Sequence, residues 1–102
     1  MGDIALCLIM PRKPLTGDLT LVRKAFGKTI SELREQSGLA QEHLAFESDV
    51  DRRFMSGLER GQHSPTLDTV MKLLWRLEVS FVDFAIVFER ELKKLKRNRV
   101  KT

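Results

Sequence analysis

Tyrosine is absent from this chain of 102 residues, and cysteine and tryptophan occur once each. The single thiol, Cys7, excludes an intramolecular disulfide, and with only His43 and His63 beside it there is no metal-ligand spacing, so neither metal nor cofactor is expected. No nucleophile with a base, no carboxylate pair and no phosphate-cradling glycine loop can be picked out, which argues against an enzyme and against a small-molecule substrate. Three prolines and six glycines are few enough to favour helices. The longest apolar run, Ile4 to Met10, is far too short to cross a bilayer and lacks the basic leader of a signal peptide. A cytoplasmic protein without a membrane partner is the expectation.

With 42% apolar and 31% charged residues, the chain has material for one globular domain with a modest core. The net charge of +4 is unevenly spread: residues 81–102 hold seven basic and three acidic side chains, whereas residues 21–80 hold nine of each. The excess lies in the tail, so a nucleic-acid reading must rest on individual residues rather than on the sum.

The stretch from Leu39 to Pro65 organises the rest. Helical spacing from Gln41 puts Leu44 and Ala45 inward, and a second helix after Asp51 puts Met55 and Leu58 inward. Only Ser48-Asp49-Val50 separates them. Asp49 tolerates the left-handed backbone such a corner needs, Val50 plugs it, and Asp51 offers a carboxylate as N-cap. The second helix then shows Arg52, Arg53 and Ser56 outward, where they could reach base edges in a major groove. Gly61 frees the chain to leave that helix, and Gln62-His63-Ser64 before Pro65 form a loop whose donors suit a sugar-phosphate chain.

Gly38-Leu39-Ala40-Gln41, Leu44-Ala45, Val50 and Met55-Ser56-Gly57-Leu58-Glu59-Arg60-Gly61 with Pro65 following resemble the phage-repressor and Cro-type helix-turn-helix family, also called XRE. The likeness spans about Arg23 to Phe84, and the Asp-Arg opening with Ser-Gly-Leu-Glu-Arg-Gly is similar to restriction-modification controller proteins. The resemblance implies an ion pair between Arg34 and Glu59, and a phosphate contact from Gln41. Ala40 stands where the family has a hydroxyl cap, Trp75 where it has a polar residue, and Glu78 where it favours Gly. Phe54 stands where controller-like relatives often have Tyr, so it brings a ring for a thymine methyl or the backbone but no hydroxyl.

Around this motif, Pro11, Pro14 and Gly17 argue against helix from Met1 to Leu21. Ile4 to Met10 reads as a short strand, a flap, a loose segment, or a patch packing on a partner. A first helix is expected from Leu21 or Val22 to Ser37, with Phe26, Ile30 and Leu33 on its inner face and Gly38 as its C-cap. Thr66 caps the next, with Leu67, Val70, Leu73, Leu74 and Leu77 as core. Ser80 to Asp83 reads as a capping box for a last helix striped by Phe84, Phe88, Leu92 and Leu95. That stripe exceeds what a small bundle covers, so with Trp75 it is expected to form a dimer interface.

The fold class expected is all-α: a compact five-helix repressor-like domain with a helix-turn-helix and an extended C-terminal helix. Residues 1–20 would be an N-terminal arm, 21–96 the DNA-binding domain with its dimerisation helix, and 97–102 a basic tail. The function expected is a homodimeric transcriptional regulator binding a palindromic operator in double-stranded DNA. Arg52 and Arg53 would read guanine, Phe54 and Ser56 would refine the reading, and Gln41, Gln62 and His63 would hold the backbone. The alternative is a protein-interaction module, such as an antitoxin or coactivator, using the same fold.

Overall fold

The computed structural model describes residues 18–101; the expectations for Ile4 to Met10 and Cys7 lie outside them. Five helices and no strand are found among the described residues: α1 (Leu19–Gln36), α2 (Gln41–Glu47), α3 (Arg52–Glu59), α4 (Leu67–Leu77) and α5 (Phe81–Lys101). α1 starts two residues before Leu21, where no helix was expected. The reason is Asp18, whose carboxylate accepts a hydrogen bond from the Thr20 N–H at 2.8 Å and so caps the helix directly after Gly17.

Phe26, Ile30 and Leu33 from α1, Leu44 and Ala45 from α2, Met55 and Leu58 from α3, Val70, Leu73, Leu74 and Leu77 from α4 and Phe84 from α5 form one buried cluster. Each sits at helical spacing on the inner face of its own helix. Leu67 does not join them: on the first turn of α4 it is 65% exposed. Close packing of α1 on α3 depends on Gly27, since a Cβ there would stand 2.5 Å from the Leu58 carbonyl oxygen.

The helix ends follow local chemistry. Gly38 (φ 72°) and Gly61 (φ 76°) leave α1 and α3 in the left-handed conformation. Thr66 Oγ1 accepts from the Thr69 N–H, and Ser80 Oγ from the Asp83 N–H. Glu78, in the place where the resembled family favours Gly, takes φ 58° at the end of α4. An L-residue is strained there.

α5 lies alongside α1 and in the same sense. Phe26 meets Phe84 edge-on with ring centroids 5.8 Å apart, and further along Glu32 pairs with Arg90 at 2.6 Å. Within one chain this contact takes up part of the apolar stripe. Phe84 is only 6% exposed and belongs to the monomer core, and Phe88, Leu92 and Leu95 are half-buried. Among the described residues, the large apolar side chains that α5 leaves open are Phe81, Val82 and Ile86. Trp75 is 68% exposed, as its helical phase requires, and borders a shallow recess with Glu47, Asp49 and Lys72 beside the α2–α3 turn.

Candidate nucleic-acid interface

The corner that presents α3 is built by three residues. Asp49 adopts φ 57°, reversing the chain directly after α2, and Val50 packs against the core beneath it. Asp51 Oδ1 then accepts from the backbone N–H groups of Arg53 and Phe54 at 2.8 and 3.2 Å. That cap satisfies two of the donors an isolated helix start leaves open. α2 has no such cap, because Ala40 supplies no side-chain acceptor.

The angle between α1, α2 and α3 is fixed by a polar cluster. Arg34 Nε and Nη2 donate to the two oxygens of Glu59 at 2.7 and 3.0 Å, and Nη1 donates to the Leu39 carbonyl at 2.7 Å. The side chains are 14% and 7% exposed. The hydrogen bonds that Arg34 donates to Glu59 raise the Arg34 pKa above its ordinary value, against the opposing effect of burial. Gln41 Nε2 donates to the same Glu59 carboxylate at 3.0 Å, so α2 begins on a side chain anchored at the end of α3. A second tie joins Glu47 on α2 to Arg76 on α4.

Outside this frame, Gln41, Asp51, Arg52, Arg53, Ser56 and Arg60 line one shallow groove. Arg52 and Arg53 are exposed and Ser56 is half-buried at the floor. Four of the seven expected DNA-contact residues are thus brought together. Phe54 and His63 are placed otherwise. Their rings stack with centroids 5.1 Å apart and 6° between planes, and Phe54 packs on the core. The His63 ring lies over Gly57, where a Cβ would come within 2.1 Å of it. Phe54 therefore spends its apolar face on the exit loop instead of on the groove. Gln62 is exposed in that loop, its backbone N–H donating to the Gly57 carbonyl at 2.8 Å.

One groove residue, Arg60, and one neighbour of the groove, Glu42, escaped the sequence reading. Arg60 lines the groove and donates to the Ser56 carbonyl at 3.3 Å; its spacing of four from Ser56 is the signal that could have found it. Glu42 reaches across the motif to Arg52 at 3.5 Å, an exposed pair that holds this arginine loosely in place. No sequence spacing reveals a pair formed across a turn.

Among the described residues there is no group of three or more His, Cys, Asp or Glu side chains able to hold a metal ion. No described helix is long and apolar enough to cross a membrane.

Residues 30–84 match the family model described as "Helix-turn-helix". The chain is 37% identical over 62 residues to an uncharacterised HTH-type transcriptional regulator, y4dJ, of Sinorhizobium fredii, covering 61% of this chain and 80% of that one. It is 35% identical over 77 residues to control protein C.BamHI of Bacillus amyloliquefaciens, covering 72% of this chain and 95% of the relative. Among solved structures, the tetramer of the restriction-modification controller protein C.Esp1396I in complex with its natural 35 base-pair operator matches with a TM-score of 0.65 and 31% identity, over 70% of this chain and 93% of that one.

Proposed function

This chain belongs to the helix-turn-helix family, and from that premise we propose that it regulates transcription as a homodimer bound to a palindromic operator in double-stranded DNA. The observation that carries the reading is the groove side of α3: a capped, rigidly angled helix offering two exposed arginines, with Gln41 and Arg60 at its edges. An arginine fork matches the O6 and N7 acceptors of guanine, so Arg52 and Arg53 are assigned to base reading and Ser56 to a polar contact between them. Gln41, Gln62 and Arg60 are assigned to the phosphate chain, which sets register without carrying sequence. Gln41 approaches DNA already oriented by Glu59.

His63 and Phe54 are assigned a supporting part, in which the stacked rings set the path of the exit loop over α3. Two copies would place their α3 helices about one helical turn apart on one face of the duplex. The contact between copies is assigned to the open apolar side chains at the start of α5, Val82 and Ile86, with the half-buried Phe88 at its margin. Regulation of this kind is a binding activity, performed in the cytoplasm and without catalysis.

The exposed Trp75 is the feature that favours the other reading, a module that binds protein through α4. Salt dependence separates the two. Affinity for a duplex selected from random sequences should fall steeply with salt, because each phosphate contact releases counterions. Binding of the same duplex that ignores salt, or no duplex selected at all, would discard the DNA reading in favour of the protein one.

A further inference from the structure

From Lys93 onwards the chain holds six basic residues and no acidic one. α5 carries them past the end of the helix it covers. Phe84 packs on Phe26 and Arg90 pairs with Glu32, so progress along α5 matches progress along α1. Lys94 then borders the same shallow recess as Glu35 and Gln36, in the last turn of α1, and Glu59, which ends α3. Glu59 in turn holds Gln41, and Gln41 lines the α3 groove. The end of α5 therefore emerges where α1 hands over to α2, at the edge of the surface assigned to DNA.

The charges at this corner are unequally matched. Glu32 is paired with Arg90, Glu59 with Arg34, and Glu91 with Arg90 and Lys94, while Glu35 accepts from the Ser31 hydroxyl. Lys93, Lys96 and Arg97 are exposed and have no ion-pair partner among the described residues. A helix that only needed a favourable charge at its C-terminus would be served by its last turn, whereas this run begins well before it.

We propose that Lys93, Lys96 and Arg97 of α5 form a second DNA contact, gripping the sugar-phosphate backbone beside the half-site that α3 reads. The inference rests on the DNA-binding reading of the α3 groove and extends the footprint outward from it. Lysine side chains act there as point charges, adding affinity without base preference.

The test compares the full chain with a variant carrying Lys93→Gln, Lys96→Gln and Arg97→Gln. The probes are the selected operator trimmed to its half-sites and the same operator lengthened by one turn at each end. The parent should bind the longer duplex about tenfold more tightly at physiological salt, and the variant should lose that preference. On the longer duplex the slope of log affinity against log salt should fall by about 0.9 for each contact removed, with base preference unchanged. Lys93→Arg with Lys96→Arg should retain the parent's behaviour, and an unchanged helical circular dichroism signal keeps loss of folding apart from loss of contact. A parent indifferent to duplex length, or a variant that keeps both the length preference and the slope, would overturn the second contact while leaving the α3 reading intact. A parent that binds no duplex at all would remove both.

Discussion

Breaking the Arg34–Glu59 pair should destabilise the domain more than its two surface-facing helix ends suggest. Arg34→Ala strips Glu59 of two donors, leaving Gln41 Nε2 alone on the carboxylate, and takes the donor from the Leu39 carbonyl. Removing one partner of a buried pair typically costs 3–5 kcal/mol; with 14% of the Arg34 side chain still in reach of water, about 3 kcal/mol is expected. Glu59→Ala should cost a similar amount, since Arg34 would keep only the Leu39 carbonyl. The double variant Arg34→Ala with Glu59→Ala removes both charges together, so neither is left buried without its partner. The cycle should therefore return a coupling energy of about 2 kcal/mol or more. Urea unfolding at one fixed protomer concentration measures it, because association would otherwise shift the midpoints. Single-variant losses that simply add, within about 0.5 kcal/mol, would refute the claim that this cluster sets the helix angle.

Glu78→Gly should stabilise the domain by about 0.5–1 kcal/mol, the relief of a left-handed L-residue less the extra freedom of Gly in the unfolded chain, read as a higher urea midpoint. Ser48→Ala should also stabilise, by about 1 kcal/mol, since Ser48 Oγ is buried without a hydrogen-bond partner among the described residues; a lower midpoint would show that the hydroxyl is satisfied in solution. Val82→Glu with Ile86→Glu should give a folded monomer in sedimentation, with weakened operator binding. A variant that remains dimeric would move the interface elsewhere.

Most of the frame was legible because its determinants are local. Asp49 and Asp51 signal a corner and a cap by their own chemistry, and the inward residues of α1, α2 and α3 repeat at helical spacing. The Arg34–Glu59 pair, 25 residues apart, was accessible only through the family resemblance. Periodicity was less informative for α5, since it tells which face is apolar and not which neighbour lies against it. α1 covers Phe84 and part of the stripe, while Phe81 and, one turn apart on the other side, Val82 and Ile86 remain open among the described residues. Leu67 fits the α4 repeat yet lies beyond the reach of the core. The stack of Phe54 on His63 was hidden for a related reason, as it joins a helix to its exit loop through space that Gly57 leaves free.

Guanine N7 methylation interference on the selected operator tests most directly whether α3 reads bases in the major groove. N7 is a major-groove acceptor for an arginine fork. Methylation should block binding at guanines placed symmetrically in two half-sites about one helical turn apart, and Arg52→Ala or Arg53→Ala should abolish the interference at one guanine of each half-site while weakening binding by about 1–3 kcal/mol. An operator bound equally well with every N7 methylated, or an interference pattern that both arginine variants leave unchanged, would contradict base reading by α3.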